Sequence, residues 1–214
     1  MQAIKTGMLA DEPTLRAVLS TLKSIYPTPG SMPPLIVDPV MVSTSGHSLL
    51  ASSANAIIRS DLIPLATIVT PNIPEAELIL GLEVGSVKTI EDMKSAAESV
   101  GKLGARAALV KGGHCKLSSA DVVASARDDV YVRWDAGCGP DQPAILRIDR
   151  PEITPEEEDV VVDVLYLPDP RADGVARFTL LVRPRLDTSS THGTGCTLAA
   201  ALACAFAQGL SRGC

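Results

Sequence analysis

The 214 residues carry a net charge of −6, 46% apolar side chains and only 3% aromatic ones. That is enough chain for one α/β domain with a sizeable core. An acidic balance with no Lys/Arg cluster excludes a general nucleic-acid binder, and the scarcity of aromatics excludes base-stacking platforms. The five cysteines (Cys115, Cys138, Cys196, Cys204 and Cys214) include no CxxC pair, so they fit neither a zinc site nor a disulfide framework. MQAIKTGMLADEP has no apolar leader core, and no stretch approaches the length of a membrane span. The expectation is a cytoplasmic protein with reduced thiols and neither nucleic-acid nor membrane partners.

In chain order, PTLRAVLSTLKSIY (13–26) has helical spacing at Leu15, Val18, Leu19, Leu22 and Ile25. PPLIVDPV (33–40) is a short apolar run that ends in a polar turn. SSANAIIRSDLIPLA reads as a helix and ATIVTPN (66–72) as a buried strand. PEAELILG (74–81) starts a helix on a proline and closes it near Gly81. TIEDMKSAAESVGKLG (89–104) opens with a Thr-x-x-Asp cap, and Ile90, Met93, Ala97, Val100 and Leu103 line one face. RAALVKGGH follows as a strand and turn. From about 118 to 160 the pattern fails, and a partly disordered surface insertion is expected. VVDVLYLPD (161–169) and ARFTLLVRPRL (176–186), separated by PRADG, predict a β-hairpin. THGTGC (191–196) then opens the alanine-rich helix TLAAALACAFAQGL.

Short apolar strands alternating with helices imply βαβ units and a parallel sheet buried on both faces. The strands end in Asp38-Pro39-Val40-Met41, in Thr70-Pro71-Asn72 followed by Glu75, and in Lys111-Gly112-Gly113-His114. In a parallel sheet these ends share one edge, where open α/β folds bind ligands. The backbone N–H groups of Gly193, Thr194, Gly195 and Cys196 would be unpaired at a helix start and favour an anion. No Gly-Lys-Ser/Thr follows, so this is not a Walker A loop, and taken alone the glycines suit a merely structural turn equally well.

THGTGCTLAAAL (191–202) resembles the C-terminal signature of the ribokinase-like superfamily. More narrowly, it resembles the hydroxymethylpyrimidine/phosphomethylpyrimidine kinases of thiamine synthesis. KTGMLAD (5–11), DPVMVSTSGHSLL (38–50), TPNIPEAELILG (70–81), VKGGH (110–114) and DVLYL (163–167) extend the match in family order. The resemblance implies a three-layer α/β fold, with a mainly parallel central sheet flanked by helices. It implies ATP and Mg2+ as cofactors and a small pyrimidine as substrate, phosphorylated first at its alcohol and then as the monophosphate.

The resemblance also implies roles. Gly193, Thr194, Gly195 and Cys196 would form the anion hole for the transferring phosphoryl group, with the Cys196 thiol accepting the substrate hydroxyl proton. A thiol at a helix N-terminus is expected to have a lowered pKa. Asn72, Lys111 and Gly112 would serve the ATP phosphates, Glu75 and Asp38 the magnesium, and Met8 and Val40 the pyrimidine ring. Each type has an ordinary use as well: Asn72 as a turn residue, Glu75 as a first-turn charge, Lys111 as a solvated lysine, Met8 and Val40 as core. His192 is expected to shape its turn, and His47 and His114 have no assigned partner.

Relative to the family pattern, an N-terminal strand with its lid and the C-terminal helices beside the adenine are expected to be missing. A strand flanking LIVDPV would then be absent too, leaving an open edge prone to aggregation or to homodimer formation. Two alternatives accompany the pyrimidine kinase: a pyridoxal kinase, disfavoured by Cys196 and DPVMV, and a non-catalytic truncated remnant.

Overall fold

The computed structural model describes residues 2–9, 11–28, 30–41, 52–127, 129–134, 159–168, 176–186 and 193–209. His47, His192, the PRADG turn and residues 135–158 lie outside them. The elements run β1 (Ile4–Thr6), α1 (Glu12–Ile25), β2 (Leu35–Val37), α2 (Ser52–Ile57), β3 (Ile68–Val69), α3 (Ile73–Leu80), α4 (Ile90–Gly101), β4 (Ala108–Val110), β5 (Leu117–Ser118), α5 (Ser119–Ser125), β6 (Val130–Trp134), β7 (Asp159–Tyr166), β8 (Phe178–Pro184) and α6 (Thr194–Ala207).

Side chains that occupy unpaired first-turn N–H groups set most of the helix starts. Asp11 accepts from the Thr14 N–H at 2.8 Å ahead of α1. Reciprocal capping boxes open α3 (Asn72 with Glu75), α4 (Thr89 with Asp92) and α5 (Ser118 with Asp121). The stretch 52–66 is not one regular helix. α2 passes into a π turn over Ile58–Leu62 and a 3-10 turn over Ile63–Leu65, because Pro64 has no N–H to continue the ladder.

The strands form one sheet in the order β1-β2-β3-β4-β7-β8-β6, with β5 also paired to β7. β1 to β4 are mutually parallel, β7 runs antiparallel to β4 and β8, and β6 is parallel to β8. The parallel half therefore carries three of the expected ligand-binding strand ends, and the hairpin extends the sheet beyond it.

Alternation along the strands sorts the core into layers. Leu35, Val37, Val69, Ala108 and Val110 face α1, α2, α3 and α4, and Val160, Val162 and Val164 face α4 and α5. Ile36, Ile68, Leu109, Leu165 and Leu167 point the other way, where α6 packs through Ala199, Leu198, Leu202 and Phe206. Helices thus flank the sheet on both faces, giving the three-layer α/β arrangement.

Two expectations change. LIVDPV does not lack a flanking strand: β1 pairs with it in parallel register, Ile4 with Leu35, Lys5 with Ile36 and Thr6 with Val37. Three residues, two of them polar, show no periodicity from which a strand could be read. Nor is the start of the 118–160 stretch an insertion. The Ser118 cap, the buried Val122 and the β6–β8 ladder place residues 117–127 and 129–134 within the fold.

Candidate active site

Asp38 ends β2 with its side chain 2% exposed. Burying a lone carboxylate costs several kcal/mol unless charge and hydrogen bonds compensate, on the order of the penalties known for buried ions. Here Lys111 Nζ donates to Oδ1 at 3.1 Å, and Thr70 Oγ1 donates to the same oxygen at 3.4 Å. Lys5 Nζ lies 3.7 Å from Oδ2, an ion pair too long for a hydrogen bond, and Oδ2 accepts no hydrogen bond within the geometric limits from the described residues. The carboxylate is thus held between two ammonium groups from two different strands.

Lys111 joins the sheet edge to α6. Its backbone N–H donates to the Pro71 carbonyl at 2.9 Å, and Asn72 and Lys111 form a parallel bridge. Its Nζ lies 2.9 Å from the point a Cβ on Gly195 would occupy. A glycine at 195 therefore leaves room for the ammonium against the helix start. Gly193, the N-cap of α6, has φ 83°, a backbone that L side chains rarely adopt, and contributes no capping side chain.

Asn72 and Glu75 serve α3 first. Asn72 Oδ1 accepts from the Glu75 N–H at 2.9 Å, and Glu75 Oε2 accepts from the Asn72 N–H at 2.8 Å. The ordinary structural reading of both residues is therefore realised. Glu75 is nonetheless buried, and loss of hydration pushes its pKa from 4.5 to about 7. The Asn72 hydrogen bond and the Lys111 charge oppose that rise, while the Asp38 charge adds to it, which places Glu75 within the same electrostatic neighbourhood. Among the described residues no group of three or more His, Cys, Asp or Glu could hold a metal. Magnesium keeps several waters and takes one or two carboxylates, so Asp38 with its orphaned oxygen, and Glu75, are a donor set that fits it.

Cys196 lies in the first turn of α6 with an exposed side chain. The expected lowering of its pKa is reversed. Lost hydration raises it, and the Asp38 carboxylate adds to the rise through its charge and a hydrogen bond that favours the neutral thiol. Lys5 and Lys111 pull the other way without prevailing. A helix N-terminus favours a thiolate, whereas lost hydration and, after it, the nearby carboxylate favour the thiol.

Gly112 is explained by the sheet. Its N–H donates to Asp163 Oδ1 at 2.9 Å, and an added Cβ would fall 1.9 Å from the Val162 carbonyl oxygen. That amide is not turned toward the crevice. Val40 is half-buried and lines a small cleft with Thr6, Gly7, Leu9, Val37 and Asp38. Met8 is 58% exposed and does not line that cleft, and His114 is exposed. Sequence reasoning passed over Lys5, Thr70 and Asp163. Lys5 and Thr70 each open a quoted motif, and their charge and hydroxyl at a strand end were the available signal.

The family described as "Phosphomethylpyrimidine kinase" matches residues 1–136 and 152–212. A hydroxymethylpyrimidine/phosphomethylpyrimidine kinase of Streptomyces coelicolor is 32% identical over 211 residues, covering 99% of this chain and 57% of that protein. Among solved structures, the ADP complex of Bacillus subtilis pyridoxal kinase superposes with a TM-score of 0.67 at 26% identity, covering 99% of this chain and 59% of that one. A phosphomethylpyrimidine kinase from Clostridium difficile superposes with a TM-score of 0.60 at 27% identity, covering 99% and 62%. The chain thus spans a little over half the length of these relatives. Because the matched stretches take in every strand of the crevice and the helix that faces it, the chain belongs to the phosphomethylpyrimidine kinase family.

Proposed function

We propose that the chain carries the phosphoryl-transfer site of an ATP-dependent kinase acting on hydroxymethylpyrimidine and then on its monophosphate. The observation that supports this most is the contact of Lys111 with both Asp38 and the start of α6. In a member of this family, that contact brings a cation, a carboxylate and a helix N-terminus to one point. Phosphoryl transfer relies mainly on positioning and charge stabilisation, and these three groups supply both. The Bacillus subtilis neighbour is an ADP complex, which supports a nucleotide as co-substrate here.

In this reading Lys111 and the N–H groups of the 193–196 turn stabilise the transferring phosphoryl group, and Cys196 accepts the hydroxyl proton. Gly112 holds the strand that presents Lys111. Asp38 and Glu75 would hold magnesium, which when bound would neutralise phosphate charge there. Asn72 fixes Glu75 in place. Met8 and Val40 flank the pyrimidine from the open side of the crevice. A thiolate beside a carboxylate is costly, so the two lysines on Asp38 are what bring the Cys196 role within chemical reach.

Cys196→Ala preserves the backbone N–H while removing the thiol. Turnover is expected to fall by about 10²–10⁴-fold, the usual worth of a general base, with ATP affinity retained. A loss below about tenfold would assign proton transfer to water or another group. The likeness to pyridoxal kinase supports a second reading, so the same ATP-consumption assay takes pyridoxal as a parallel substrate. Faster turnover of pyridoxal would favour that vitamin. No turnover of either would favour a non-catalytic remnant.

A further inference from the structure

We propose that Lys5 receives the phosphate of an already phosphorylated substrate and so selectively supports the second phosphorylation. The inference rests on the kinase reading above and assigns a residue to one of its two steps.

The two lysines on Asp38 are not equivalent. Lys111 is hydrogen-bonded to Oδ1 and lies against Gly195, so it belongs to the helix start and the nucleotide side. Lys5 approaches Oδ2 only to 3.7 Å, makes no hydrogen bond with it, and has a side chain 25% exposed. It projects from β1, and its Nζ lies 3.0 Å from the point a Cβ on Gly7 would occupy. Lys5 thus belongs to the stretch that runs through Gly7 to Met8, on the side assigned to the pyrimidine. It is balanced by a buried charge but not tied to it. An ammonium held in this way can turn to a second anion without leaving an unpaired hydrogen bond behind.

The two steps differ in charge. The first acceptor is a neutral alcohol, while the second is a phosphate monoester of about −1.5 to −2 at neutral pH. That monoester must approach the terminal phosphate of ATP beside the buried Asp38 carboxylate. Two such anions about 4 Å apart repel by several kcal/mol at the screening typical of a protein surface. A cation on the acceptor side relieves this in the second step, whereas in the first it meets no substrate charge and acts only through Asp38 and Cys196. In the second step a phosphate oxygen of the substrate forms the new bond to the terminal phosphorus, the bond to ADP breaks, and Lys5 holds charge without exchanging a proton.

The test uses Lys5→Met, which keeps most of the stem, and Lys5→Arg, which keeps the charge. Binding of hydroxymethylpyrimidine and of its monophosphate to the nucleotide-free chain is measured by calorimetry, and the two phosphorylations are then assayed separately. Lys5→Met is expected to bind the alcohol within about twofold of wild type and to lose roughly tenfold or more for the monophosphate, the worth of a charge-assisted hydrogen bond. Its second-step kcat/KM should fall by the same factor relative to the first, and Lys5→Arg should restore most of it. Equal losses for both ligands in folded protein would make Lys5 merely structural and overturn the proposal. Undiminished monophosphate binding would overturn it as well. Wild-type protein that binds neither pyrimidine would instead bring down the kinase reading, and this assignment with it.

Discussion

Glu75 and Cys196 are both ionisable groups at the crevice, and their surroundings favour the neutral form of each. For Glu75 the folded pKa of about 7 lies above the ordinary 4.5, so the native state binds the proton more tightly than the unfolded chain does. The stability this brings is complete below about pH 4.5, declines as the pH rises, and is lost once the pH passes about 7. The decline amounts to roughly 3 kcal/mol for a shift of this size. Glu75→Gln keeps an acceptor for the Asn72 N–H and removes the titration. Urea melts of both proteins in chelator, from pH 4 to 8, should show wild type losing stability relative to the variant as pH rises. Parallel curves would mean that Glu75 is hydrated and ordinary. For Cys196, iodoacetamide alkylation should show an inflection above that of a free cysteine peptide, and Asp38→Asn should move it down. A Cys196 inflection below the peptide's would restore the thiolate that its helix position alone suggests. The identities of these residues were legible in the motifs, but their ionisation was not. It depends first on burial and then on Asp38 and Lys111, which are far from Cys196 in the chain and brought beside it only by the sheet.

At the scale of elements, the helix starts were the most legible feature. Thr89 with Asp92 and the proline after Ile73 are local signals, and the structure uses them as such. The strands were legible only where apolar runs were continuous, as in LIV and ALV. β1 offered three residues, and every residue of β6 is half-buried, so neither shows a clean alternation. The clasp between β4 and β7 was also invisible in the sequence. Asp163, 2% exposed, accepts from Gly112 N–H and pairs with Arg183 Nη1 at 2.9 Å. Gly112→Ala would drive a methyl into the Val162 carbonyl and should destabilise the fold by roughly 2–4 kcal/mol. Asp163→Ala leaves a buried N–H without its acceptor and should cost about 1–3 kcal/mol. Denaturant midpoints decide both, and a Gly112→Ala change within 0.5 kcal/mol would show that β4 and β7 separate easily, given that surface-like changes stay within about that range.

Across the whole molecule, the connection from β6 to β7 can be judged from where its ends sit. β8 lies between the two strands, with Trp134 level with Val182 and Val160 level with Pro184. The end of β6 and the start of β7 therefore lie at the same end of the sheet, two strand spacings apart, or about 10 Å. Residues 135–158 are far more chain than that gap requires, and the family match omits 137–151. We expect 137–151 to be an insertion within one kinase domain, narrower than the 118–160 range the sequence suggested. Deleting it leaves 135–136 joined to 152–158, whose reach of roughly 30 Å at about 3.3 Å per residue spans the gap without strain. Shortening a loop of this length changes its closure entropy by less than about 1 kcal/mol. The deletion variant should therefore keep its thermal midpoint within a few degrees and its ATP affinity within about twofold, as measured by calorimetry. A variant that unfolds would show that 137–151 packs on the sheet. A variant that folds but loses nucleotide or pyrimidine binding would place the segment over the crevice, as part of the site it serves.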